Sequence, residues 1–166
     1  MSKFSELCQA YTDSRASYFD YRDKSYSFAM DMINRYVKFL DIPTENTRFV
    51  PLDIEPTANT TYTLHGAMHL NEDTFWHLGF QMILYSAPNV FPHQAVLLAF
   101  KFKRSEDAFQ VKISADDSGH KVRLGNAADF DALFVFLQSQ IEKHFRNDLQ
   151  TFLESSASTR QIGFIQ

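Results

Sequence analysis

Between Met1 and Ile42 the chain has neither Gly nor Pro, and its apolar positions recur mostly at helical spacing: Phe4, Leu7, Cys8, Tyr11, Tyr18, Ala29, Met32, Ile33, Tyr36, Val37 and Leu40. Pro43 stops the pattern. One helix over this span would be about 60 Å long, whereas a compact domain of this size is roughly 40 Å across. The mismatch predicts a break, most naturally at Thr12-Asp13-Ser14, where an N-cap can sit. The alternative is an unbroken helix that overhangs the domain and meets a partner.

From Thr47 to Leu124 the period switches to two. Strands are expected over Thr47–Ile54, Thr61–Leu70, Phe75–Ser86, His93–Arg104, Asp107–Ala115 and Lys121–Leu124, joined by short stretches of turn chemistry such as Asn71-Glu72-Asp73 and Ser105-Glu106. Short connections in series imply an antiparallel meander, because parallel strands need long crossovers. Asn126 then reads as an N-cap with Asp129 three residues on, opening a helix whose apolar residues Phe130, Leu133, Phe134, Leu137, Ile141, Phe145, Leu149 and Phe152 keep a 3–4 spacing. The expectation is one α+β domain over 1–166: a helical region at 1–42, a sheet at 47–124, a C-terminal helix at 126–154 and a tail at 155–166, loose or a late edge strand. The sheet has five or six strands, with both long helices packed on one face.

Alternation assigns the faces. Trp76, Leu78, Phe80, Met82, Val96, Leu98, Phe100, Phe102, Phe109, Val111 and Ile113, with Tyr62, Leu64, Met68, Leu70 and Leu84, fall on the helix-covered face. Keeping them opposite one another pairs Leu70 with Trp76, His69 with His77, Phe102 with Phe109 and Ile113 with Val122. The other face collects Thr63, His65, His69, His77, Gln81, Lys101, Lys103, Gln110, Lys112, Lys121 and Arg123, together with the more apolar Ile83, Tyr85, Leu97 and Ala99.

Composition sharpens this picture in two places. The net charge of −4 argues against coating nucleic acid or anionic membrane by bulk charge, yet five of the sixteen Lys and Arg gather on the outer sheet face. The single cysteine, Cys8, forbids an intrachain disulfide and, on the apolar stripe, reads as a small buried hydrophobe. Without an apolar signal-like start or a long apolar run, the chain reads as cytoplasmic and free of membrane spans.

Candidate chemistry is sparse. His65 and His69 lie about 13 Å apart on a strand, too far to share an ion. His69 and His77, about 5 Å apart across strands, still fall short of a zinc ligand set, and no carboxylate reaches them by this register. No metal site, cofactor or catalytic residue is assigned, and the two histidines read as solvated surface groups. The lysines fit either an edge that resists sheet pairing or a shallow anion site. Tyr11, Arg15, Tyr18 and Arg22 read as packing on the chain's own sheet with the arginine stems turned outward. Phosphate loops, dinucleotide fingerprints and nucleophile elbows are missing from the sequence.

The sequence therefore points to a non-enzymatic binding module, self-associating as a homodimer. It would present His69, His77, Lys101, Lys103, Lys112 and Arg123 to an acidic protein or a small anion. An enzyme built on His69, His77, Lys101 and Lys103, and a nucleic-acid binder using the basic face, are the alternatives. The single-strand version of the latter is weakened by having only Phe75 and Tyr85 as stacking platforms.

Overall fold

The computed structural model describes residues 2–57, 60–87, 90–113, 117–147 and 164–165. Helix α1 runs without a break from Lys3 to Leu40, 38 residues. Its N-cap is Ser2, whose Oγ accepts from Ser5 N at 3.1 Å. The expected break at Thr12-Asp13-Ser14 is absent because Thr12 Oγ1 turns back and donates to Cys8 O at 2.9 Å, which lets a threonine sit inside a helix without ending it. The helix closes at Asp41, a left-handed residue with φ 53 whose N–H returns to Val37 and Lys38 carbonyls, and Pro43 prevents resumption.

Among the described residues seven strands follow: β1 (Thr47–Val50), β2 (His69–Leu70), β3 (Trp76–Ala87), β4 (Val90–Ser105), β5 (Ala108–Lys112), β6 (His120–Arg123) and β7 (Phe164–Ile165). They form one antiparallel sheet of order β1-β3-β4-β5-β6, with β2 beside β1 on the outer edge of β3, and β7 beside β5 on β4. The strand expected over Thr61–Leu70 is instead a short helix, α2 (Leu64–Ala67), followed by β2. Thr63 caps that turn by accepting from Gly66 N at 3.1 Å. The buried Leu64, Ala67 and Met68 fit a 3–4 period, whereas alternation accounts only for Leu64 and Met68, and the Thr63 cap favours the helical turn.

The predicted pairs His69 with His77 and Leu70 with Trp76 are present. Two other registers differ: Phe102 pairs with Val111 rather than Phe109, and Val122 with Phe109 rather than Ile113. The β4–β5 turn is Glu106-Asp107, with Glu106 at φ 58, one residue later than expected. Moving a two-residue turn by one shifts the pairing by two, so every side chain keeps its face.

The C-terminal helix α3 (Ala127–Arg146) starts as predicted, Asn126 Oδ1 accepting from Asp129 N at 3.0 Å. The part of the expected helix beyond Asn147, and all of the expected tail except Phe164–Ile165, lie outside the described residues. Both long helices cover one face. Phe28 of α1 stacks on Phe109 at 4.1 Å and also meets Phe102 and Phe130, while Tyr36 packs among Phe80, Phe100 and Phe134. The core face is the one predicted, except that Leu70, at the end of the two-residue β2, is largely exposed. Among the described residues, no helix is long and apolar enough to cross a membrane.

Candidate functional site

The outer sheet face is shaped by one glycine. Gly79 is the fourth residue of β3, opposite Val50 of β1. A Cβ there would collide with the Val50 carbonyl oxygen and lie 3.0 Å from Leu52 Cδ2 and 3.2 Å from Leu97 Cδ1. The missing side chain lets the segment after β1, where Pro51 ends the ladder, fold back over β3. Leu52 and Leu97 thereby both close on Gly79, and Asp53 is delivered to His77.

His77 is buried and held from both sides. Its Nδ1 lies 3.0 Å from Asp53 Oδ1, and its Nε2 lies 2.8 Å from Asp73 Oδ2. Asn71 Nδ2 donates to the same Asp53 oxygen at 2.9 Å. Asp73 is aimed by the β2–β3 turn, where its Oδ1 accepts from Phe75 N at 2.9 Å and Thr74 takes a left-handed φ of 71. That conformation is strained for a β-branched residue. Only the imidazolium form, with an N–H on each nitrogen, can donate to both carboxylates. Partial burial pushes the Asp73 carboxyl up, but the Phe75 N–H, the His77 ring and Lys101 together hold it below its ordinary value.

The expectation of solvated histidines with no carboxylate in reach is thus overturned at His77. Asp53 and Asp73 arrive from a crossover and a turn, which strand alternation does not address. Gly79 inside a β pattern was the available signal of a close backbone approach.

His69, His77, Lys101 and Lys112 form one cross-strand row over β2, β3, β4 and β5. The next row holds Lys103, Gln110 and Lys121. At the His77 end the charge is compensated by Asp53 and Asp73. At the other end, Lys101, Lys103, Lys112 and Lys121 form no ion pair among the described residues, whereas Lys3, Arg22, Lys24, Arg35, Arg123 and Arg146 all do. Lys103 Nζ donates to Thr74 Oγ1 at 2.9 Å, and the Lys103 and Lys112 ammoniums stand 5.8 and 5.2 Å from the Phe75 ring centre.

The remaining predicted residues lie apart from this cluster or are engaged elsewhere. Arg123 is taken up by Asp129 at the start of α3, donating from Nε at 2.8 Å and Nη2 at 3.1 Å. His65 lies on α2 against the Tyr26 ring, 4.3 Å between centroids, and not on the sheet. His69 Nε2 is buried without a hydrogen-bond partner among the described residues. No group of three His, Cys, Asp or Glu side chains suited to a metal ion occurs among the described residues.

A separate cleft of about 630 Å³ opens between the C-terminal end of α1, β3 and α3, lined chiefly by Leu40, Ile42, Met82, Leu84, Tyr85 and Ile141. It contains none of the predicted site residues. No family model matches this chain, and neither a curated protein nor a solved structure is detectably similar to it.

Proposed function

We propose that the protein is a binding module whose outer sheet face takes an anionic group, either a small phosphorylated or carboxylated ligand or the acidic surface of a protein partner. The observation that carries this is the direct pairing of Lys101 with Lys112 across β4 and β5, Lys112 having no ion pair among the described residues. Like charges placed opposite one another weaken a sheet by a few tenths to about 1 kcal/mol. An anion between them relieves that repulsion, so the free protein is primed for one. Lys103 and Lys121 flank the pair, and Phe75 supplies its apolar floor.

Binding is favoured over catalysis because both ring nitrogens of His77 are occupied by carboxylates, leaving neither free for proton transfer to a substrate. A nucleic-acid reading is weaker, since among the described residues Phe75 alone has its ring against these lysines, and single-strand binders need successive stacking platforms. Self-association belongs to this reading.

The test is calorimetric titration with inorganic tripolyphosphate and with a hexaglutamate peptide at low and high salt. Binding is expected at low salt, weakened by added salt. It should fall at least tenfold in Lys101→Ala/Lys112→Ala. In the free protein, Lys112→Thr is expected to raise stability by about 0.5 kcal/mol. Absence of any heat or chemical-shift change with either probe at low salt removes the proposal.

A further inference from the structure

The N-terminal half of α1 leaves the domain altogether: every residue from Ser2 to Tyr18 is exposed. At 1.5 Å per residue this arm is about 25 Å long. It carries Phe4, Leu7, Tyr11 and Tyr18, which are 75%, 69%, 64% and 44% exposed. The expectations that Cys8 is buried and that Tyr11 and Tyr18 pack on the chain's own sheet are therefore both overturned. The sheet ends near Trp76, which Tyr21 and Tyr26 already cover.

The spacing 4, 7, 11, 18 continues as Ser25, Ala29, Met32 and Tyr36, which are buried. The arm thus presents, uncovered, the same helix face that packs on the sheet further along. We infer that this face is covered by the same face of a second copy, in an antiparallel, two-fold-symmetric helix pair. The inference deepens the self-association within the proposed function and does not depend on the basic sheet face.

Two observations select this occupant. The segment Ser2–Lys24 holds four basic and four acidic side chains, so two copies meet without net repulsion. An arm for nucleic acid or an anionic bilayer would carry a basic excess. The four anchors expose roughly 400 Å² per chain, and with the flanking helix surface a pair reaches about 1,200 Å², the lower bound for a specific dimer.

The direction follows from the fold. Because the stripe is collinear with the face that packs on the sheet, a parallel pair would drive each domain into the other's helix. An antiparallel pair places each domain beyond the first turn of the partner's α1. Centred on Tyr11, it sets Phe4 against the partner's Tyr18 and Tyr11 against the partner's Tyr11, an isologous contact that closes.

Light scattering on the intact chain at about 100 µM is expected to give twice the chain mass. Phe4→Glu/Tyr11→Glu, at two exposed positions, is expected to give a monomer with unchanged circular dichroism. Orientation is read by oxidation in a Cys8→Ser background: a mixture of Phe4→Cys and Tyr18→Cys proteins should form a heterodisulfide that neither forms alone. A monomeric wild type, whether or not it binds vesicles or another protein, overturns the inference. So does a double variant that stays dimeric, a homodisulfide in either single variant, or a mixture that fails to cross-link. Tripolyphosphate binding, scored separately on the double variant, keeps failure of the arm distinct from failure of the sheet face.

Discussion

Arg123 and Asp129 show how one ion pair fixes the geometry of an element junction. Asp129 accepts from Arg123 Nε, Nη2 and backbone N, while its own N–H is held by the Asn126 cap. The Arg123 guanidinium holds the Asp129 carboxyl down from 3.8 to about 2. A carboxyl whose folded value lies below its unfolded value adds stability that is complete well above the unfolded value and is lost as pH falls through the folded one. Unfolding midpoints measured across pH should therefore decline from about pH 4 toward pH 2, and Arg123→Gln should shrink that decline. An unchanged pH slope in the variant would show that the pair contributes nothing. Arg123 was legible in the sequence as a basic residue at the sheet face, but its partner was not. In the sequence Asp129 is marked only as the third residue after a cap, and the two meet because the Leu124–Asn126 turn is tight.

At the scale of elements, the decisive feature is the passage of Pro51–Ile54 over β3, which depends on Gly79. Gly79→Ala places a methyl group against the Val50 carbonyl and two leucine side chains. Backbone has to move, so the expected loss is about 2 kcal/mol or more in urea unfolding. Amide exchange should quicken first in β1 and around Asp53. A variant as stable as the parent would mean that β1 is not seated on β3 as described. The same logic explains which registers the sequence could give. Core-facing alternation fixes parity, and the Leu70–Trp76 and His69–His77 pairs follow from a turn read correctly. The β4–β5 pairing required knowing that the turn sits at Glu106-Asp107, because displacement by an even number leaves the hydrophobic pattern intact.

For the whole molecule, the consequence of an overhanging α1 is that stability is coupled to concentration. If two arms cover one another, the folded dimer gains from mass action, and the melting temperature should rise with protein concentration. Phe4→Glu/Tyr11→Glu should melt at a temperature independent of concentration. A concentration-independent melt for the intact chain would argue that the arm is uncovered in solution. The charge distribution works on the same scale: an acidic chain of net −4 gathers Lys101, Lys103, Lys112 and Lys121 on one sheet face, so attraction for an anion is local and sensitive to salt.

The sequence by itself determined the α+β class, the antiparallel order, the core-facing side chains, the α3 cap and the grouping of lysines on the outer face. Each of these depends on local periodicity or on a capping residue within a few positions. How far α1 outruns the sheet and what surrounds His77 were decided only by tertiary structure, whereas the continuity of α1 and the helical turn Leu64–Ala67 rest on local bonds, Thr12 to Cys8 O and Gly66 N to Thr63, that spacing alone does not announce. The overhang is set by where the sheet ends, not by the helix's own residues. Asp53 meets His77 across 24 positions through a crossover that no period encodes. A pattern of spacings states which way a side chain points, and only the packed chain states what it meets there.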